Sequence, residues 1–365
     1  MDQALAQALA CAESALRLSA PNPRVGCVIV DAAHQIIGQG HTQRTGGPHA
    51  EIMALRDATE RGHSVVGATA FVTLEPCAHQ GRTGPCCDAL ISAGITRVLA
   101  SVADPNPLVA GRGFERLRAA GIEVEVGAGE QAARELNIGF FSRMLRQTPW
   151  VRMKTAASLD GTTALANGQS QWITSPEARA DGHAWRARAS AVLTGIGTVL
   201  QDNPGLDVRL VPCSRQPHRI IIDSALQTPP GARIFAPAGE VWIYTASTDE
   251  AKTQALQARG ARVHCLPGAN GKVDLAAVMR DLGQRQINEL HVEAGFKLNG
   301  SLVREGLVDE FLVYLAPKLL GPGQGMLALA ALPDLADAVA LEFMSAERIG
   351  QDLRLMARVL GRGNF

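Results

Sequence analysis

The stretches that decide the fold are His49-Ala50-Glu51 and Thr73-Leu74-Glu75-Pro76-Cys77, the latter followed after eight residues by Cys86. They offer one imidazole, two thiolates and a nearby carboxylate, the donor set of a zinc ion with three protein ligands and a fourth position left for water. A structural zinc takes four protein ligands, so an open position points to hydrolytic chemistry on a bound water whose pKa falls to about 7. Glu51 is then the proton carrier, taking a proton from that water and passing it to a ring nitrogen and a leaving amine.

The surroundings of the motif read as alternating strand and helix. Val25 to Val30 and Ala68 to Leu74 are β-branched runs between turn signals, Ile52 to Arg61 is a helix, Asp88 to Ala93 a second helix, and Arg97 to Ser101 a strand,. Both halves of the motif therefore fall at strand-to-helix junctions, where free N–H groups and the helix dipole favour thiolate over thiol. Two residues apart on a regular helix, His49 and Glu51 would diverge, so His49 is expected in the very first turn, behind Pro48. Cys87 stays open as an alternative to Cys86, and His79 as a fourth ligand. Upstream, Leu5, Leu9, Ala12 and Leu16 form the stripe of an amphipathic helix that Pro21-Asn22-Pro23 ends,.

At 365 residues the chain is long enough for two domains,. A formal net charge of zero and 4% aromatics give neither the basic patch nor the stacking rings of a nucleic-acid binder, which favours a small-molecule substrate,. No apolar run approaches the roughly 18 residues of a membrane span, and Asp2 and Glu13 sit where a secretory signal wants basic residues, so a cytoplasmic protein is expected,. Seven cysteines, two of them in the metal motif, argue against a disulfide framework; Cys11, Cys27, Cys213 and Cys265 read as buried thiols,.

Near Gln147-Thr148-Pro149 the pattern restarts, with strands at Trp150 to Ala157, Ala189 to Thr194, Arg219 to Asp223, Val241 to Thr245, Arg262 to Leu266, Glu289 to Glu293 and Glu310 to Leu315. Gly195-Ile196-Gly197-Thr198 follows a strand like the start of a dinucleotide fingerprint, but Leu200 stands where the third glycine belongs,. A second turn, Glu293-Ala294-Gly295, leads into a helix expected from Asn299 to Glu305, and two such turns in one sheet can clasp a nucleotide,. Arg186, Arg188 and Arg209 are candidates for a substrate phosphate, although Arg188 reads equally as a solvated helix residue. Lys154 either approaches a nicotinamide or merely flanks a strand, and His34, His63, His218, His264 and His291 read as surface or satisfied buried imidazoles. From the residues alone the second half is a nucleotide- or phosphate-binding α/β domain, compatible with a reductase.

The strings Pro21-Asn22-Pro23-Arg24-Val25-Gly26, His49-Ala50-Glu51, Thr73 to Cys86 and Asp104-Pro105-Asn106-Pro107 together resemble the deaminase half of the bifunctional riboflavin-biosynthesis deaminase/reductases. The long gap between the cysteines separates them from cytidine-type deaminases, whose cysteines usually stand two residues apart. Ser158-Leu159-Asp160-Gly161, Gln171 to Ser175, Thr198 to Pro204, Ile222-Asp223-Ser224, Val292 to Gly295 and Ala316 to Gly321 resemble the reductase half. The resemblance implies an α/β protein with a cytidine-deaminase-like α/β/α sandwich at 1–146 and a dihydrofolate-reductase-like α/β domain at 150–365. It implies hydrolytic deamination of a diamino-ribosylamino-pyrimidinone 5′-phosphate, then NADPH-dependent reduction of its ribosyl group to ribityl.

Carried over by motif position, the resemblance assigns one Zn2+ per chain to His49, Cys77 and Cys86, and proton transfer to Glu51. Asn22, His41, Arg82 and Asn106 would meet the deaminase substrate. Ala156, Trp172, Thr198, Asp202, Ser224 and the turn Gly295-Phe296-Lys297-Leu298 would meet NADPH, and Ser170, Arg186, Leu206, Arg209 and Glu293 the reductase substrate. The sequence departs from the family at Phe296 to Leu298, where a second small residue or proline is common, and at Arg82, where lysine is frequent. The partner expected is a phosphorylated pyrimidine, with neither nucleic acid nor membrane, and homo-oligomerisation stays open. Two rival readings are a single-function deaminase with a regulatory second half, and a non-enzymatic nucleotide binder with a structural zinc.

Overall fold

A computed structural model describes residues 2–78, 84–107 and 109–365 and divides into two compact units, Met1–Arg146 and Gln147–Phe365. The first unit runs α1 (Asp2–Ser14), β1 (Gly26–Val30), β2 (Ile36–His41), α2 (Ala50–Glu60), β3 (Thr69–Val72), α3 (Cys86–Ser92), β4 (Arg97–Ala100), α4 (Arg112–Ala119), β5 (Glu123–Val126), α5 (Glu130–Leu136) and α6 (Ile138–Arg146). Its sheet has the order β2-β1-β3-β4-β5, with β1 antiparallel to both neighbours and β3, β4 and β5 parallel.

Helix α1 buries Ala4, Ala8, Cys11 and Ala12, while Leu5 and Leu9, and Leu16 in the turn after it, are only half-buried. Of the expected stripe Ala12 is fully buried and Leu5 packs against the core from its edge. The reason lies in β1: a Cβ added to Gly26 would stand 1.9 Å from the Ala8 carbonyl oxygen. The helix backbone rests directly on the strand, and that gap admits methyl groups but no leucine. Strand β2 escapes the sequence pattern for a related reason. Its Gly38 and Gly40 lie against α2, with a Cβ on Gly38 meeting the Ala54 carbonyl at 2.4 Å, so glycines replace the apolar residues that mark a strand.

The second unit contains β6 (Trp150–Ser158), β7 (Thr162–Leu165), α7 (Pro176–Arg188), β8 (Ala191–Gly195), α8 (Ile196–Asp202), β9 (His218–Ile222), β10 (Val241–Thr245), α9 (Glu250–Gln257), β11 (Ala261–Cys265), α10 (Leu275–Gln284), β12 (Glu289–Val292), α11 (Phe296–Arg304), β13 (Glu310–Ala316), β14 (Gly323–Gly325), β15 (Leu341–Ile349) and β16 (Asp352–Val359). Nine strands form one sheet in the order β11-β10-β9-β8-β12-β6-β13-β16-β15, and β7 pairs with β14. From β11 to β13 the strands are parallel; β16 and β15 are antiparallel additions. Every strand expected in this half is present. The hairpin β15–β16 was not legible because β15, Leu-Glu-Phe-Met-Ser-Ala-Glu-Arg-Ile, is mostly exposed at the sheet edge and shows no alternation,.

The parallel strands bury Met153, Leu193, Ile220, Tyr244 and Leu290 against Leu282 of α10 and Leu302 of α11. At their N-terminal ends lies a buried ion network. Arg152 reaches Glu289 at 2.8 Å and Glu310 at 2.6 Å, Arg188 joins Glu289 at 2.8 Å, and Arg358 joins Glu310 at 3.0 Å. Burial alone would raise the Glu310 carboxyl, but Arg152 and Arg358 hold it below the usual carboxylate range. Arg188 is therefore neither solvated nor a phosphate ligand; its charge is spent on a glutamate that is 1% exposed. Two of the four cysteines expected in the interior also differ: Cys265, ending the edge strand β11, is exposed, and Cys213, in a loop, is half-buried with its thiol donating to the Arg215 carbonyl at 2.6 Å.

Candidate functional site

Three donor atoms of the first unit converge. His49 Nδ1 lies 3.6 Å from Cys77 Sγ and 3.3 Å from Cys86 Sγ, and all three lie within 4.8 Å of one another. Zinc–sulfur and zinc–nitrogen bonds of tetrahedral geometry place such atoms about 3.6 Å apart, so the donors fit zinc. His49 is the N-cap of α2, with extended backbone (φ −79°, ψ 170°), one position earlier than the first turn expected. That extended residue lets its ring turn toward the same point as the buried Glu51 one turn start later. Cys86 opens α3, and its backbone N–H donates to Cys77 Sγ at 3.4 Å. The Cys86 thiol, the His49 ring and this N–H pull the Cys77 pKa down to about 4, while the adjacent thiolate drives Cys86 upward: the pair shares its proton. Burial, reinforced by the Cys77 charge, lifts the Glu51 carboxyl to about 7.

The neighbouring thiol is turned elsewhere. Cys87 Sγ donates to the Pro76 carbonyl at 3.2 Å and contacts the Gly113 carbonyl at 3.5 Å. The converging trio thus contains Cys86 and not Cys87. His79 and Arg82 lie outside the described residues. His41 ends β2 with its imidazole pKa lowered by burial, and lines a cavity of about 570 Å³ with Cys11, Met53 and Asp57. Asn22 and Asn106 sit in turns; the Asn106 N–H donates to Asp104 Oδ1 at 2.8 Å.

Sequence reasoning missed the group that holds this loop cluster. The Glu75 carboxylate, 3% exposed, accepts N–H bonds from Asp104 at 3.1 Å, Gly111 at 3.0 Å and Gly113 at 2.8 Å. Gly113 must be glycine there, since a Cβ would stand 2.1 Å from the Pro76 carbonyl. The available signal was a glutamate two residues before a metal-type cysteine.

In the second unit the C-terminal ends of the parallel strands surround a cavity of about 890 Å³. Thr198, Ser224, Gly295, Phe296, Lys297 and Leu298 all line it. The starts of α8, after Gly195, and α11, after Gly295, open into it, and α11 begins three residues earlier than the sequence suggested. Two helix N-termini facing one space suit a pyrophosphate. The turn from β11 to α10, Gly268 to Asp274, forms the remaining wall and had not been singled out. Ala156, Trp172 and Asp202 are not among the lining residues; Trp172 is 62% exposed with the Arg179 guanidinium 4.5 Å from its ring centre.

Glu293, directly after β12, forms a two-pronged ion pair with Arg186, one bond being 2.8 Å. Arg186 also donates to the Asp207 carbonyl at 2.9 Å, and Arg209 bonds the Asp207 carboxylate at 2.8 Å. Burial would raise the Glu293 carboxyl; Arg186 overrides it and holds the group well below the usual range. His183 accepts the Arg209 N–H at 3.2 Å, and burial beside Arg186 and Arg209 lowers its pKa to about 4, so it is neutral at pH 7. His291 is fully buried 3.4 Å from Glu293, in keeping with a buried imidazole. Lys154, on β6, faces Glu293 and Arg186 with its pKa lowered by burial, and its ammonium lies 5.9 Å from the Tyr314 ring centre. Ser170 lies in the segment between β7 and α7, and Leu206 is 3% exposed in the core with φ 51°.

Comparison with known proteins decides the family. The profile of the RibD C-terminal domain matches residues 149–355, and that of the cytidine and deoxycytidylate deaminase zinc-binding region matches residues 1–102. A riboflavin biosynthesis protein RibD of Escherichia coli strain K12 is 48% identical over 364 residues, covering 96% of this chain and 97% of its own length. This chain belongs to the RibD family. A RibD of Acinetobacter baumannii superposes with TM-score 0.88 at 39% identity, covering 98% of each chain. A Thermotoga maritima diaminohydroxyphosphoribosylaminopyrimidine deaminase/5-amino-6-(5-phosphoribosylamino)uracil reductase does so with TM-score 0.88 at 33% identity, again over 98% of each. RibD membership makes the chain a bifunctional deaminase/reductase of riboflavin biosynthesis, using zinc and NADPH. Its two units have the cytidine-deaminase-like and dihydrofolate-reductase-like folds.

Proposed function

We propose that residues 1–146 deaminate the pyrimidinone ring of a diamino-ribosylamino-pyrimidinone 5′-phosphate and residues 150–365 reduce the ribosyl group of the product to ribityl. The observation that carries the first step is the convergence of His49, Cys77 and Cys86 beside buried Glu51. Zinc held there supplies a water acidic enough to attack at neutral pH. Glu51, poised near 7, accepts a proton at that pH and returns it to the ring nitrogen and the departing amine,. Asn22, His41, Arg82 and Asn106 orient the substrate.

For the second step NADPH supplies hydride, and the chain's residues hold the two partners. Thr198, Ser224 and Gly295 to Leu298 face the dinucleotide; Ala156, Trp172 and Asp202, outside the lining of this cavity, are assigned to the cofactor by the family resemblance alone. Glu293, Arg186 and Arg209, together with Ser170 and Leu206, hold the sugar phosphate, and the Lys154 ammonium beside Glu293 is a proton source next to the sugar oxygens. Measuring ammonia release and loss of NADPH absorbance on one sample with the phosphorylated pyrimidine tests the whole reading. Ammonia without NADPH oxidation would favour a single-function deaminase, and zinc content without either product a binding protein.

The same reading places the protein in the cytoplasm, supported by seven free cysteines,. No described helix is long and apolar enough to cross a membrane. A homo-oligomer through the free edge of β15 is supported by its exposed Leu341, Phe343 and Met344,. Pairing β15 antiparallel with its copy about Ser345 sets Glu342 opposite Arg348, and sedimentation of Phe343→Asp should show the smaller species.

A further inference from the structure

We propose that Lys272 reads the 2′-phosphate of the cofactor and sets the preference for NADPH over NADH. The proposal rests on the reading that the 890 Å³ cavity holds the dinucleotide. The strand order fixes the direction of the ligand. The Arg186–Glu293 cluster ends β12, next to β6, so the reacting nicotinamide lies on that side. The start of α11 takes the pyrophosphate in the middle,. The adenosine end then runs the other way, past β8 toward β9, where Ser224 follows the strand.

At that end the wall is the turn from Gly268 to Asp274. It is tied to Ser224, whose Oγ accepts the Val273 N–H at 3.2 Å. The turn is a closed hairpin, with Gly268 N–H donating to the Lys272 carbonyl at 2.6 Å and Gly271 at φ 64°. It presents Lys272, which lines the cavity, is exposed and is uncommitted to any carboxylate among the described residues. Asp274, beside it, accepts the Ala277 N–H as the cap of α10 and, with Glu305, is an acidic neighbour on the same wall. Lys297 is the other uncommitted lysine on the wall, but it stands in the first turn of α11, beside the pyrophosphate that both dinucleotides share, and Arg304, which also lines the cavity, is held by the Ala328 carbonyl at 2.5 Å and Ser301 Oγ at 3.0 Å. Only the cation at the adenosine end can tell a phosphomonoester from a hydroxyl.

Dissociation constants of NADPH and NADH, and of 2′,5′-ADP and 5′-AMP, should be measured by calorimetry on the full chain, its Lys272→Ala variant and its Lys297→Ala variant. Lys272→Ala should weaken NADPH and 2′,5′-ADP by about ten- to a hundredfold, as expected for a charged hydrogen bond, and leave NADH and 5′-AMP unchanged. Lys297→Ala should weaken NADPH and NADH alike. Unchanged NADPH binding by Lys272→Ala, or an equal loss of both dinucleotides, overturns the proposal. Failure of the unaltered chain to bind either dinucleotide would instead overturn the cofactor reading of the cavity.

Discussion

The Glu75 carboxylate accepts the Gly113 N–H at 2.8 Å and so fastens the start of α4 to the segment that carries Cys77. With Asp104 and Gly111 on its other oxygen, one side chain ties the segment after β4 and the start of α4 to the segment before Cys77. Glu75→Gln keeps the volume but turns an NH2 group toward an N–H donor on one side. Loss of a buried charged acceptor should cost about 1–3 kcal/mol. Denaturant unfolding and the rate of zinc release to a chromogenic chelator should both move; no change in either would leave Glu75 without a role.

The two adjacent cysteines separate cleanly. Cys86→Ser should remove zinc and deaminase activity, because a hydroxyl is a poor replacement for thiolate on a borderline-soft ion. Cys87→Ala should retain both and lose only packing against Pro76 and Gly113. Metal content by mass spectrometry decides, and the reverse pattern would exchange their roles.

Glu51→Gln should bind zinc as well as the unaltered chain and release no ammonia, while still oxidising NADPH with the deaminated substrate. Ammonia at the normal rate would remove Glu51 from proton transfer.

Glu293 gives a pH signature. Its folded pKa is depressed by Arg186, so its contribution to stability is complete above the ordinary value of 4.5 and fades as pH falls through the lower folded value,. Glu293→Gln should therefore lie below the unaltered chain in stability at pH 7, and the difference should shrink in acid below 4.5. A gap that stays constant down to the acid transition would show that the carboxylate's charge is not what stabilises it.

Cutting between Thr148 and Pro149 should give two fragments that each fold, since each sheet has its own apolar core,. Circular dichroism and cooperative melting of each fragment check this; a molten second fragment would argue that the first half is required.

The sequence carried the strands of the parallel sheet and the metal cysteines because burial on both faces gives continuous apolar runs, and because a ligand set is a pattern of chemical types. It concealed the face of α1, since Gly26 acts by omitting a side chain and the leucines nearby look like the better core. It also concealed Glu75, Lys272 and the Arg186–Glu293 pairing, whose meaning depends on contacts between residues far apart in the chain. The start of α11 was misplaced because Phe296-Lys297-Leu298 carries no capping residue; Gly295 alone begins the helix.

Strand β12 begins with the buried Glu289 and is followed directly by the half-buried Glu293, four residues and roughly 13 Å further along,. Glu289 answers to Arg152 and Arg188, and Glu293 to Arg186. One end of the strand is thus a keel and the other a workbench. Selection can rework the residues that meet cofactor and sugar, trading one specificity for another, while the ion network at the opposite end keeps the sheet standing. Substitutions at Glu293 should cost chiefly catalysis, with the part of the stability held by Arg186, and those at Glu289 soluble protein, so a saturation library from Glu289 to Glu293 should show different losses at its two ends.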